Sequence, residues 1–65
     1  MKKVKMLKKW AICENSAREV KEYDFNFSVI HPDNMDEGSI LGLTPQDSDI
    51  ECETLEQAIE WVKNY

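Results

Sequence analysis

Residues 54–64 constrain the fold more than any other segment. Leu55, Ala58, Ile59 and Val62 recur at i, i+3, i+4 and i+7, the spacing that lines up apolar side chains on one stripe of an α-helix. Thr54 stands at the cap position with Gln57 three residues on, as a capping box requires. Glu56 falls near the positive end of the helix dipole and Lys63 near the negative end. Glu56, Gln57, Glu60, Lys63 and Asn64 occupy the opposite side, while Trp61 and Tyr65 lie on a flank of the stripe. A helix this short is marginal alone, so the stripe needs an apolar surface of matching size.

The segment over 20–30 supplies that surface. Tyr23, Phe25, Phe27 and Val29 alternate with Asp24, Asn26 and Ser28. A period of two puts the rings on one face of a strand and the polar residues on the other, the pattern of an antiparallel sheet with one wet face. An earlier strand is expected over 4–13, with Val4, Met6, Trp10 and Ile12 in one parity and Lys8 interrupting it. The polar stretch 14–19 reads as the turn of a hairpin between the two. Pro32, which has no N–H to donate, ends the second strand. His31 through Ser39 read as an exposed loop or a single helical turn. Ile40-Leu41-Gly42-Leu43 reads as a short strand, Thr44-Pro45-Gln46-Asp47 as one helical turn, and Ile50-Glu51-Cys52 as a short strand. The expected fold class is α+β. It is a small two-layer domain, an antiparallel sheet of three or so strands with one C-terminal helix packed on one face.

At 65 residues the chain is expected to be a single domain, residues 1–65, because stable domains rarely fall below roughly 50 residues. Hydrophobic residues make up 42% of it, too many for a disordered acidic tail. A domain this small buries only about 60% of its unfolded surface, so the core needs most of the large apolar side chains. A typical small-molecule site of ~300 Å³ or more does not fit inside, which argues against an enzyme. No run approaches the ~20 apolar residues of a membrane span. Lys5, Lys8 and Lys9 interrupt the N-terminal segment, so it lacks the apolar core of a signal peptide. Cys13 and Cys52 then read as free thiols of a cytoplasmic protein, not as a secreted disulfide framework.

The chemistry-bearing residues do not form a known constellation. Cys13, His31, Cys52 and the aspartates lack ligand spacings such as C-x-x-C or H-x-x-x-H, so no metal is expected. The acidic run after Asp33 fails as a calcium loop, since Met35 and Thr44 stand where oxygen ligands are needed. The lone histidine, His31, sits in a polar loop, where a solvated ring is the expectation. No Gly-rich phosphate loop is present, and no cofactor is expected.

Charge is the informative feature. The formal net charge is −5, from 13 acids and 8 bases. Residues 1–9 hold five lysines (Lys2, Lys3, Lys5, Lys8 and Lys9) and no acid, leaving residues 10–65 at −10. Such a body can imitate a phosphate backbone and dock on a basic protein partner, one that handles nucleic acid for instance. The expected docking residues are Glu51, Glu53, Glu56 and Glu60, with Trp61 and Tyr65 as an aromatic anchor or as a cover over the sheet edge. Leu7 and Ile30, on the wet face, would add apolar area. Two other readings stand beside this one: a nucleic-acid binder using the lysine strip, with Trp10 near it, and a homodimeric structural component.

Val29-Ile30-His31-Pro32-Asp33 ends a strand in a Pro-Asp turn, and Thr54-Leu55-Glu56-Gln57-Ala58 opens a helix. In these pieces the run from Tyr23 through Val62 resembles the N-terminal domain of HicB-like antitoxins. It departs from them in lacking Gly-Cys after Pro-Asp, in having Cys52 where a Gly usually precedes the Thr-Leu-Glu run, and in showing no C-terminal DNA-binding module. The resemblance implies an acidic domain that binds a small toxin-like protein without catalysis.

Overall fold

The computed structural model describes residues 1–65. The basic N-terminal segment forms a hairpin, not the single strand expected over 4–13. Strand β1 (Lys2–Leu7) pairs antiparallel with β2 (Trp10–Glu14), and Leu7 faces Trp10 across the turn. Lys8 and Lys9 make that turn at φ 51° and 70°. Two consecutive residues at positive φ match the twist of a hairpin, but lysines give none of the Asn-Gly signal that usually announces it. The Lys8 ammonium also donates to the Lys63 carbonyl at 3.0 Å.

The strand expected over 20–30 is halved. Its first part belongs to helix α1 (Ala17–Tyr23), in the stretch where a hairpin turn was expected. Ser16 caps α1: its hydroxyl accepts the Glu19 N–H and the Glu19 carboxylate accepts the Ser16 N–H, a capping box. Asp24 ends the helix in the left-handed region, φ 71°. Tyr23 therefore lies on a helix, and its alternation with Phe25 is not that of a strand. Strand β3 is Phe27–Ile30, with Phe25 buried and Phe27 half-buried.

A short 3-10 turn follows at Pro32–Asn34 and another at Pro45–Asp47, the latter capped by Thr44. Ile40–Leu43 is not the strand expected there. It is a tight turn closed by the Leu43 N–H donating to the Ile40 carbonyl at 3.0 Å, with Gly42 at φ 84°. Such a turn needs a positive φ at its third position, and glycine supplies it. Strand β4 (Ile50–Cys52) and helix α2 (Leu55–Lys63) lie where the periodicity places them, and the Thr54–Gln57 capping box is formed.

The result is a four-stranded antiparallel sheet in the order β1-β2-β3-β4, with α2 packed on one face in a small α+β domain. Trp10, Ile12, Val29 and Cys52 meet Ala58 and Val62 of α2 there, with Leu7, Phe27, Ile50, Leu55, Ile59 and Trp61 around them. The other face is not wet. Ala11, Cys13, Ser28 and Ile30 are fully buried, and Met1, Met35, Ile40 and Leu43 pack against Ala11, Cys13 and Ile30. The loop 31–49 folds back as a lid over that face. Ser28 is satisfied there by its hydroxyl donating to the Asn15 side-chain Oδ1 at 3.0 Å, and the Asn15 Nδ2 donates to the Phe25 backbone carbonyl at 3.1 Å. Leu7, partly buried, packs against the core on the α2 face and Ile30 is fully buried on the other, so neither is spare apolar surface of a wet face.

Candidate docking surface

Sheet order places the charges at opposite edges. β1, an outer strand, carries Lys2, Lys3 and Lys5, with Lys8 and Lys9 at its turn. β4 is the other outer strand and carries Glu51, flanked by Asp49 and Glu53. Helix α2 begins beside the end of β4 and runs to the opposite end of the sheet, where Lys8 meets its last turn. Glu56 and Glu60 are exposed one turn apart along it.

These residues do not form one patch. Glu51 pairs with Ser28 in the register of β3 and β4, so it points to the loop-covered face, away from α2. Glu53 is held at the β4 exit, where the Asn26 amide donates to its carbonyl at 3.0 Å and to its carboxylate at 3.3 Å. Glu60 is held by the Asn64 amide at 3.0 Å. The acids make a discontinuous rim, with Glu51 on the loop-covered side of β4 and Glu56 and Glu60 on the exposed side of α2. No lysine or arginine side chain is paired with a carboxylate anywhere in the chain. The one ion pair is Met1 ammonium–Glu19 at 2.7 Å; the His31 Nδ1 stands 3.7 Å from the Asp33 carboxylate.

Trp61 and Tyr65 belong to a separate cluster at the far end of α2. Trp10 is the hub: its ring lies edge-on to Trp61, Tyr65 and His31 at centroid distances of 5.2, 4.9 and 4.7 Å. Trp61 and Tyr65 stack at 5.4 Å. Trp61 is half-buried against the core, whereas Tyr65 is 70% exposed. Trp61 thus covers the edge of the core, whereas the Tyr65 ring is left largely open to solvent. His31 is not simply solvated: its ring packs on Trp10 and its Nδ1 accepts the Asp33 N–H at 2.9 Å.

The two thiols lie on opposite faces of the sheet, Cys13 under the loop and Cys52 under α2. β3 stands between their strands, so strand spacing alone separates them by roughly 9–10 Å, beyond the ~7 Å a disulfide spans. Both are free. Burial pushes both thiols above their ordinary range; the Met1 ammonium and Lys3 partly oppose this at Cys13, and Glu53 adds to it at Cys52. A protonated, buried thiol is a poor nucleophile and a poor metal ligand. The surface clefts, of about 530, 480 and 360 Å³, are lined by neither His31 nor either cysteine. No three of the His, Cys, Asp and Glu side chains gather as a metal-binding group. No helix is long and apolar enough to cross a membrane.

The rim itself was legible as a set of acids. Its division between two faces was not, because that depends on which strand β4 joins. No family model, curated protein or solved structure matches the chain.

Proposed function

We propose that this chain is a small, non-enzymatic, cytoplasmic protein-binding module. Its acidic rim, Glu51, Glu53, Glu56 and Glu60, docks on a basic protein partner in the manner of an inhibitor or antitoxin. The exposed ring of Tyr65 and the flank of Trp61 add apolar area where the partner reaches the far end of α2. The observation that carries this reading is the lack of any lysine– or arginine–carboxylate pair within the chain. The rim charges are exposed and uncompensated, so a basic partner meets them at full strength. The sequence resemblance of Val29-Ile30-His31-Pro32-Asp33 and Thr54-Leu55-Glu56-Gln57-Ala58 to HicB-like domains is what supports the antitoxin version.

The test is affinity capture from a cell extract with two baits, the natural chain and the variant Glu51→Gln/Glu53→Gln/Glu56→Gln/Glu60→Gln. Basic proteins held by the natural chain at low salt should be lost with the variant. They should also be lost when ionic strength is raised enough to shorten the screening length to about 3 Å. A captured set that is indifferent to both changes contradicts the proposal.

A further inference from the structure

We infer that the two open edges of the sheet fit each other, so that β4 of one copy docks on β1 of a second copy and the sheet continues head to tail. This goes beyond the proposed function. It shares Glu51 and Glu53 with that reading, but it alone uses the lysines of β1.

Both edges have free backbone groups, since β1 pairs only with β2 and β4 only with β3. Such edges are templates for another strand. Direction also fits. Neighbours alternate throughout, so β1 and β4 of one copy run opposite ways. A second copy in the same orientation sets its β1 antiparallel to the first copy's β4. Both α2 helices then lie on the same side, and the helix layer and the loop layer both continue.

Charge selects this pairing over the others. Two β1 strands side by side oppose lysine to lysine, and two β4 strands oppose acid to acid. A β1–β4 contact instead sets the Lys3 side of one edge against the Glu51 side of the other. The faces agree as well. Lys3 stands opposite Cys13 and Glu51 opposite Ser28, both of which are on the loop-covered face. Lys5 stands opposite Ile12 and so projects to the α2 face. The lysines of β1 are thus split between faces. On the loop-covered side Glu51 of β4 meets Lys3, while on the α2 side Lys5 lies along the apolar Ile50 and Cys52. Val4 and Met6, 40% and 43% exposed, alternate with these lysines and give the edge apolar area that a purely repellent strand would lack.

The ladder is short. β4 spans only Ile50–Cys52, and the β1 register is interrupted between Lys3 and Lys5. Association is therefore weak, needs high protein concentration and is sensitive to salt. The contact is heterologous, so it does not stop at a dimer.

Sedimentation equilibrium from micromolar to millimolar protein tests this. In low salt the weight-average mass should rise with concentration from 7.6 kDa to more than twice that value, and salt should return it to the monomer. Lys3→Glu/Lys5→Glu and Glu51→Lys/Glu53→Lys should each be monomeric. An equimolar mixture of the two should associate again, because each supplies the edge the other lacks. That rescue separates a lost contact from a lost fold. A natural chain that stays monomeric throughout, a mass that plateaus at the dimer, or association unaffected by the charge swaps overturns the inference. If self-association fails while the four-glutamine bait still loses its captured proteins, the proposed function stands without it.

Discussion

On one face of the sheet Trp10, Ile12 and Val29 lie under helix α2; on the other, Ala11, Cys13 and Ile30 lie under an irregular loop. A helix satisfies its own backbone and offers a regular apolar stripe. A loop does neither, so its cover depends on side-chain hydrogen bonds. Asp49 supplies three of them, accepting the His31 N–H at 2.7 Å and the Asn34 amide at 2.8 and 2.9 Å. Asp47 accepts the Thr44 N–H at 2.8 Å, and Ser48 donates to the Pro45 carbonyl at 2.6 Å. The residues beneath differ accordingly. Large side chains fill the helix side, whereas the loop side takes small ones, Ala11, Cys13 and Ser28, beside Ile30. With both faces covered, the edges and the outer side of α2 are the surfaces left open.

The sharpest way to break this comparison is to hollow each face in turn. Ile12 and Ile30 are both fully buried, one under the helix and one under the loop. Truncating either to alanine should cost about 2–5 kcal/mol, measured by urea unfolding. Ile30→Ala should fall toward the lower end, because a loop collapses into a cavity more readily than a packed helix does. A near-zero cost for Ile30→Ala would show that the loop side is not a core. A smaller effect is expected from Asp49→Ala, about 1–2 kcal/mol for the loss of charged hydrogen bonds at an exposed position. Amides over 31–47 should then exchange faster while those of α2 are unchanged. Equal acceleration in both regions would mean that the two covers do not act independently.

The smallest effect is a pH dependence. The Met1 ammonium, and after it the Ser16 N–H, hold the Glu19 carboxyl below its ordinary value of 4.5. A lowered folded-state pKa stabilises the fold at pH values above the unfolded-state pKa, and that contribution is lost as pH falls through the folded-state value. The natural chain should therefore lose melting temperature below pH 4.5 more steeply than Glu19→Gln does. Parallel profiles down to strong acid would remove this contact from the account.

The helix side was readable from residues alone because its signals are local. The Thr54–Gln57 cap and the Leu55–Val62 stripe specify α2, and Thr44-Pro45 marks the turn at Pro45–Asp47. Helix α1 has a local signal as well, the capping-box spacing of Ser16 and Glu19, but the polar stretch 14–19 and the alternation through Phe25 and Phe27 mask it. The Lys8–Lys9 turn carries no residue that favours positive φ, so the hairpin was hidden. Met35, Ile40 and Leu43 have neither helical nor strand spacing. Their role as a lid exists only once the sheet offers them a face. The candidate site divides the same way: the acids are visible as residues, whereas the separation of Glu51, on the loop-covered face of β4, from Glu56 and Glu60 on α2 exists only in the assembled sheet.

Cys13 tests the covered second face most directly. It lies under the loop, on the side that strand alternation alone would leave wet. Pulsed alkylation of the native protein, with each thiol quantified by peptide mass spectrometry, reads its exposure without a mutation. The account predicts that Cys13 is as protected as Cys52 and reacts only as fast as the chain unfolds. Labelling of Cys13 at the rate of a free thiol, in protein that remains folded, would contradict it.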